Sequence, residues 1–246
     1  MNELSSLLKR SFEGSGYCQG DYEDAAAAVV WLEAHGMKGL EAMVPTWSRS
    51  TDAETGLEHI ADTSGAKVLD AQDGNVVFCG RMLVDLACAR AATGGSGRIE
   101  LRRCHGRMAI LASLGMCATR GLHGIAHWSD KDNMHIASIH AGQPRPDYRR
   151  LQRRPQDRSR SGTLLVVCSR GRETIKAIAE ELAGSGKENV ETTEVSSSDM
   201  QVRYDTAVRH GLRVDPALIR TLTAAADSVL VEASERSRLG AGESQS

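Results

Sequence analysis

A histidine flanked by arginines is the residue group in this sequence best suited to chemistry. The segment 102–107 reads Arg-Arg-Cys-His-Gly-Arg and directly follows a predicted strand. Ligands of α/β proteins bind outside the carboxyl ends of strands. There His105 could act as a general acid or base, and Arg102 or Arg103 could hold a substrate carboxylate through paired hydrogen bonds. The alternative is that the arginines solvate the end of a strand and that His105 belongs to an ordinary turn.

A second feature is the density of imidazoles that follows. Five of the eight histidines lie within 36 residues, at His105, His123, His127, His135 and His140. Imidazole is a common proton shuttle and a common metal ligand. Asp130 and Asp132 lie nearby, so a metal site stays open, although we predict none. The favoured interpretation is that some of these histidines line a polar cleft, and we predict that His127 contacts substrate there.

Thiol and phosphate chemistry are disfavoured. Cys104 adjoins His105, but adjacent residues on a strand point to opposite faces and seldom form a catalytic pair. Six widely spread cysteines without a Cys-x-x-Cys pair indicate free thiols rather than disulfides or a zinc site. The glycine run 94–97 follows a predicted helix and precedes a strand, the reverse of a dinucleotide fingerprint. It therefore predicts a turn rather than a phosphate cradle.

The spacing of apolar residues and the positions of turn-forming residues predict the helices and strands that must position these side chains. Helices are predicted over 3–12, 21–34, 81–92, 107–119, 173–182, 197–210 and 216–226, with Asp21 as the N-cap of the second. Strands are predicted over 67–70, 75–79, 98–102, 122–128 and 163–168. The first two strands would form a hairpin around an Asp-Gly turn. Residues 143–162 combine prolines and arginines and predict a solvated linker that could also hold an anion.

The resulting organisation is an α/β fold with five regions. These are an N-terminal helical region over residues 1–66, a central α/β region over 67–142, the basic linker 143–162, a C-terminal strand with helices over 163–236, and a flexible tail 237–246. A chain of 246 residues can bury the core of one compact domain or two small ones.

Composition excludes several classes of function. The net charge of −2 argues against a nucleic-acid partner, which would require a basic face. The longest apolar stretch, residues 25–32, falls far short of the roughly 20 residues that a bilayer needs. Residues 1–6 lack the basic and apolar blocks of a secretory signal. We therefore expect a cytoplasmic protein without a membrane partner.

The order of segments resembles the type-2 malate/L-lactate dehydrogenase family. Residues 2–12 and 21–40 resemble its N-terminal helices, and residues 80–92 its next long helix. Residues 101–125 are similar to its strand, His-containing turn, helix and glycine-containing strand. Residues 164–182 and 195–225 resemble its closing strand and helices. The Trp-Leu-x-x-His-Gly opening at 31–36 and the ending at 237–242 also resemble a group of short bacterial proteins of unknown function.

The resemblance implies a shortened fold of this family, with N- and C-terminal helices around a mixed sheet, and a homodimer. It implies an oxidoreductase that uses NAD or NADP and acts on a small 2-hydroxy or 2-keto carboxylate. His105 would exchange the substrate proton, Arg102 or Arg103 would bind the carboxylate, and His35 would complete the site. The linker occupies the place of the family's cofactor-binding segments. A cofactor-independent lyase or isomerase, or a non-catalytic dimeric subunit, therefore stays open.

Overall fold

Eight helices and eight strands make up the portion of the chain that the computed structural model describes, residues 1–47, 57–63, 65–152, 162–184 and 192–229. The helices are α1 Asn2–Gly14, α2 Gln19–Ala34, α3 Gly39–Trp47, α4 Val76–Gly94, α5 Ile110–Thr119, α6 Arg172–Gly184, α7 Ser197–His210 and α8 Pro216–Ala226. The strands are β1 Glu58–Thr63, β2 Ala66–Asp70, β3 Ser96–Arg102, β4 His123–Ser129, β5 Asn133–Ile139, β6 Asp147–Gln152, β7 Leu164–Ser169 and β8 Thr192–Val195. The predicted tail 237–246 lies outside these ranges.

The strands form one mixed sheet in the order β1-β2-β3-β7-β4-β5-β6-β8. β2 and β3 are parallel, and the other neighbouring pairs are antiparallel. Because β3 and β4 both run antiparallel to β7, they run in the same direction as each other and as β2. β2, β3 and β4 therefore all end at one edge of the sheet, which we call the carboxyl edge.

The two faces of the sheet carry different layers. α4 and α5 pack on one face, and the N-terminal helices, α7 and α8 extend the same hydrophobic core outward. α6 covers a portion of the other face, where Ile125, Ile136 and Val167 form a smaller core with Ile175. Successive residues of a strand therefore point into different layers, and this alternation decides which side chains can meet.

The predicted hairpin is wrong in its second strand. Residues 67–70 lie in β2, but the predicted strand 75–79 forms the start of α4. Asn75 caps this helix, because its Oδ1 accepts a hydrogen bond from the Val77 amide at 3.0 Å. An asparagine cap satisfies a helix-terminal N–H group and outweighs the β-propensity of a short valine run. β2 pairs with β1 instead.

The predicted basic linker is wrong over residues 147–152. This stretch forms β6, which pairs with β5 and β8. Tyr148 and Leu151 are buried, whereas Arg149 and Arg150 are exposed. Burial of these two residues and pairing with strands on both sides stabilise β6. The arginines make the same stretch resemble a solvated linker in the sequence. Residues 153–161 of the linker lie outside the described ranges.

The N-cap predicted for α2 is also wrong. α2 begins at Gln19 with Cys18 as its N-cap, and Asp21 lies inside the first turn. There the carboxylate is favourable because of the partial positive charge at a helix N-terminus. None of the helices in the described ranges combines the length and apolar character needed to cross a bilayer.

Candidate active site at the carboxyl edge

The loop that carries His105 is held at the carboxyl edge by backbone hydrogen bonds. The His105 amide donates to the Gly74 carbonyl, and the Val76 amide donates to the His105 carbonyl, each at 2.9 Å. Asn75 pairs with His105 as an isolated parallel bridge. The side chain of Asn75 also donates to Thr46 Oγ1 at 2.8 Å. The histidine is therefore fixed to the start of α4 as well as to the end of β3.

Gly106 makes this arrangement possible. Its φ of +61° lies in the left-handed region, and a Cβ at this position would overlap the side-chain amide of Asn75. Glycine avoids both penalties. The chain can therefore turn directly after His105 while the imidazole remains half-buried, with 29% of its side-chain surface exposed.

Carboxylates surround His105 and Arg103. His105 Nε2 lies 4.0 Å from an oxygen of Asp73, and Arg103 contacts the other oxygen of Asp73 at 3.4 Å. Arg103 Nε donates to Asp70 at 2.8 Å. Burial raises the pKa of the Asp70 carboxyl, but hydrogen bonds from Arg103 and the Gln72 amide outweigh it and hold the pKa below its usual value. Arg103 is thus already neutralised by two carboxylates.

Arg107 is held differently from the other arginines of the motif. It donates to the carbonyl oxygens of Cys104 at 2.7 Å and Ser129 at 3.3 Å. Its Nε is buried and has no hydrogen-bond acceptor within the described residues. An unpartnered buried donor costs about 1–3 kcal/mol. Arg107 therefore joins the ends of β3 and β4 and keeps one buried donor, Nε, without an acceptor among the described residues.

A connected polar group lies next to Arg107. His135 donates or accepts at both ring nitrogens, with Tyr148 Oη at 2.8 Å from Nδ1 and Asp130 at 2.8 Å from Nε2. Its ring stacks on Trp128 with a centroid separation of 5.0 Å. Burial lowers the pKa of His135 against the opposing effect of Asp130. The same burial raises the pKa of Tyr148 to about 12.

Asp130 links this group to the carboxyl edge. Burial raises the pKa of its carboxyl, but hydrogen bonds from His135 and two backbone amides hold the pKa below its usual value. Asp130 exposes 42% of its side-chain surface, whereas His135 exposes 8%. The chain of hydrogen bonds therefore runs from a buried phenol to a carboxylate that solvent reaches.

Two predicted site residues lie apart from His105. Arg102 is exposed and donates to Glu100 at 2.8 Å. His127 shares the face of β4 that carries Ile125, the face covered by α6, whereas Trp128 belongs to the main core. His127 thus points away from the face that holds His135.

His35 is not brought to His105. It ends α2, where its Nδ1 lies 2.6 Å from the Trp31 carbonyl and its Nε2 accepts from Arg145 at 2.8 Å. Burial lowers the pKa of His35, and the adjacent Arg145 lowers it further. Arg145 precedes β6, at the edge opposite to the one where β3 ends. The His35 ring stacks between Trp31 of α2 and Tyr204 of α7 and contacts Arg145 in the loop before β6. It therefore does not face the carboxyl edge.

The histidine pair at the opposite edge does not form a three-ligand metal site. The Nδ1 atoms of His123 and His140 lie 3.4 Å apart. Over the described ranges, three or more potential ligand atoms converge only at Cys88, Cys117 and Cys168. The six cysteines are all free, as predicted.

Solved structures of other proteins share this architecture. Malate dehydrogenase from Pyrococcus horikoshii OT3 superposes with a TM-score of 0.68 over 94% of this chain and 95% of that chain, at 12% sequence identity. The fold is that of the malate/lactate dehydrogenases. This confirms the fold class predicted from the sequence.

Two further proteins with the same fold act, according to their names, on other acids. Sulfolactate dehydrogenase from Methanocaldococcus jannaschii has a TM-score of 0.60 at 10% identity and covers 93% of this chain and 96% of its own. Delta1-piperideine-2-carboxylate reductase from Pseudomonas syringae pvar. tomato has a TM-score of 0.60 at 11% identity, with coverages of 91% and 98%. Residues 1–64 match a family model described as a protein of unknown function (DUF3726). No curated protein sequence matches the chain.

The glycine run does not fit a nicotinamide dinucleotide. Gly95 ends α4 in a left-handed conformation, and its carbonyl accepts from the Arg170 amide and Ser169 Oγ. Gly97 packs directly against the backbone of α4. The carbonyl end of a helix disfavours a phosphate group. The run forms the predicted turn between α4 and β3.

The sequence points to only some of the residues at this edge. Its patterns mark Asp73 as a turn residue, Arg107 as one arginine among several, and Tyr148 as a linker residue. They indicate His135 as one of several histidines that could line a cleft or bind a metal, and Asp130 only as a possible metal ligand. The sequence feature that could have identified Asp73 is the helix cap at Asn75. A helix that begins after Asn75 makes the preceding residues a turn, and this turn places Asp73 near His105.

Proposed function

We propose that the protein is an oxidoreductase-like enzyme acting on a small 2-hydroxy or 2-keto carboxylate. The observation that supports this proposal is the His105–Asp73 pair beside Arg107, at the carboxyl edge of a malate/lactate dehydrogenase fold. This combination supplies a proton-transfer group and an anion-binding group within two residues of each other.

His105 is the proposed acid or base. Its side chain is half-buried, so it is accessible to a small substrate while its backbone is fixed on both sides. Asp73 lies 4.0 Å from its Nε2, at ion-pair distance but beyond a hydrogen bond. A positioned histidine contributes about 100- to 10,000-fold to a proton-transfer step. In this role it gives or takes the proton of the substrate oxygen or of the carbon next to the carboxylate.

Arg107 is the proposed carboxylate anchor, in place of Arg102 and Arg103. Those two arginines contact Glu100 and Asp70 respectively, so a substrate would have to displace a carboxylate that is already bound. Arg107 instead contacts carbonyl groups and has a buried donor without an acceptor among the described residues. Charge-assisted hydrogen bonds to a carboxylate are stronger than those to a neutral carbonyl.

Substitution of Arg107 tests this assignment. We expect Arg107→Gln to raise KM for the acid by about tenfold or more, equivalent to loss of about 1.5–3 kcal/mol of charged hydrogen bonding. Arg102→Gln is the control, because it removes an exposed arginine of the same motif. Thermal unfolding of both variants shows whether a loss comes from folding. Equal KM values for the two variants would exclude Arg107 as the anchor.

A direct assay tests the function itself. The full chain is incubated with a panel of small 2-hydroxy and 2-keto acids and each of NAD(H) and NADP(H), and absorbance follows the nicotinamide. Calorimetric titration with the same nucleotides measures binding separately. We expect turnover with at least one acid. Turnover together with saturable nucleotide binding supports the oxidoreductase.

The glycine geometry gives a specific reason to test a second candidate, a cofactor-independent lyase or isomerase acting on the same acids. Exchange of the α-proton for deuterium without nucleotide, lost in His105→Gln, would favour it. Absence of both redox turnover and exchange over the whole panel would overturn the proposed enzyme and favour a non-catalytic subunit.

A further inference from the structure

Three cysteines from distant segments of the chain meet in the core, away from the carboxyl-edge site. Cys88 lies on α4, Cys117 on α5 and Cys168 on β7. Cys88 Sγ is 3.7 Å from each of the other two sulfur atoms, and Cys117 Sγ is 2.8 Å from Cys168 Sγ. Each residue exposes 2% of its surface or less. The three sulfurs therefore form a compact triangle between the helices and the sheet.

The neighbouring backbone leaves room for this triangle. Gly124 lies on β4 directly beside Cys168, and a Cβ at this position would lie only 2.9 Å from Cys117 Sγ. Any larger residue there would displace the sulfur. The glycine thus permits Cys117 to reach the sheet surface where Cys168 lies.

We propose that Cys88, Cys117 and Cys168 form a three-thiolate binding site for a soft metal ion, and that Cu(I) is the ion that suits it. Thiolate ligands select soft ions such as Cu(I). Structural zinc sites are almost always four-coordinate, and the group offers three ligand atoms. Cu(I) accepts three sulfur ligands without a fourth.

Two of the three sulfur separations suit a shared metal, whereas the Cys117–Cys168 pair, at 2.8 Å, would have to open for a metal or close for a disulfide. Three thiolates at about 2.3 Å from a three-coordinate, trigonal metal lie about 4.0 Å apart, close to the 3.7 Å that separates Cys88 Sγ from each of the other two sulfur atoms. Only the Cys117–Cys168 separation has to open. A disulfide would require that pair to close to about 2.05 Å and would leave Cys88 unused.

A cation lies beside the cluster. The guanidinium of Arg120 lies near enough to Cys88 to act on the thiol electrostatically, and it forms an exposed ion pair with Asp85. Arg120 can therefore offset part of a negative charge on the cluster, and it shares its own charge with Asp85.

Binding is a ligand exchange without redox change. Three S–H bonds break, their protons pass to solvent, and three Cu–S bonds form while copper remains Cu(I). The complex carries a net charge of −2, which Arg120 partly offsets. Because protons are released, affinity rises with pH until the thiols are deprotonated.

Anaerobic titration of the reduced full chain with Cu(I), in competition with a chromophoric Cu(I) chelator, tests this site. We expect one Cu(I) per chain and three sulfur neighbours by X-ray absorption. Cys88→Ala should weaken binding by about 100-fold or more, exceeding the 10- to 100-fold effect of outer-shell changes. Cys79→Ala, a buried cysteine on the same helix, should bind as the unmodified chain does.

The outcomes separate the alternatives. Failure of the unmodified chain to compete with the chelator overturns the proposal, whatever the stability of the variants. The proposal is also overturned if the bound copper has two sulfur neighbours and Cys88→Ala binds Cu(I) as tightly as the unmodified chain. A Cys117–Cys168 disulfide that persists under the reducing conditions overturns it as well. Weakening in Cys79→Ala equal to that in Cys88→Ala assigns the copper elsewhere.

Discussion

Replacing His105 by glutamine is expected to lower kcat/KM for the carboxylate substrate by about 100- to 10,000-fold. Glutamine preserves much of the size and hydrogen-bonding capacity of histidine but cannot transfer a proton near neutral pH. The backbone bonds that hold residue 105 do not involve its side chain. Initial rates with the best acid of the panel measure the effect, and thermal unfolding should change little.

His140→Gln is the matched control for this loss. His140 is also partly exposed, but it follows the end of β5 at the opposite edge of the sheet. Activity should remain within about twofold, as expected for a residue distant from the chemistry. Full activity in His105→Gln, combined with loss in His35→Gln or His127→Gln, would move the acid or base to another region of the molecule.

Gly97→Ala is expected to destabilise the fold by about 3 kcal/mol, at the upper end of the usual cost of overpacking. The added methyl group would overlap the Ala87 carbonyl oxygen and lie 2.8 Å from Arg90 Cβ and 2.9 Å from the Ala91 amide nitrogen. Two of these atoms are backbone, so β3 and α4 would have to separate. Thermal or denaturant unfolding measures the change, and a drop in Tm of about 6–12 °C corresponds to it.

Gly94→Ala, three residues earlier, provides the comparison. Gly94 is the last residue of α4, and a Cβ there meets no atom within 4 Å. Alanine is a better helix former than glycine by up to about 1 kcal/mol. This variant should therefore be as stable as the unmodified chain or slightly more so. Similar unfolding midpoints for the two variants would contradict the close packing of β3 on α4.

Elements with strong local signals are predictable from the sequence. The predicted helix 197–210 coincides with α7, which begins with a capping box between Ser196 and Asp199. Asp215 and Pro216 mark the start of α8, where the aspartate caps the Ala217 amide. The strands β3, β4 and β7 follow from alternating or continuous apolar runs. These signals are local, so no knowledge of the partner elements is needed.

Elements stabilised by long-range pairing are not predictable in the same way. β6 contains four polar or charged residues among six and becomes a strand because β5 and β8 satisfy its backbone. β1, β5 and β8 also escape prediction. Asn75 illustrates the opposite case, in which one side chain turns an apparent strand into a helix. From the sequence alone, Asn75 is equally compatible with capping a helix and with following the Asp-Gly turn of a hairpin.

The same distinction applies to the candidate site. His105 can be selected because it follows a predicted strand within a single short motif. Its relation to Asp73 depends on the pairing of Asn75 with His105, and that of His135 to Tyr148 depends on the register between β5 and β6. A one-residue change in that register would turn the phenol to the other face. Sequence spacing alone cannot determine such contacts.

The packing of α1 against α8 constrains the order in which the chain can fold. Leu8 and Phe12 of α1 are fully buried, and Ser11 Oγ donates to the Leu222 carbonyl across 211 residues of sequence. During synthesis on a ribosome, α1 would emerge long before α8 is translated. α2 can cover one part of α1 early, but the part of α1 that packs against α8 must stay open until nearly all of the described chain has left the exit tunnel.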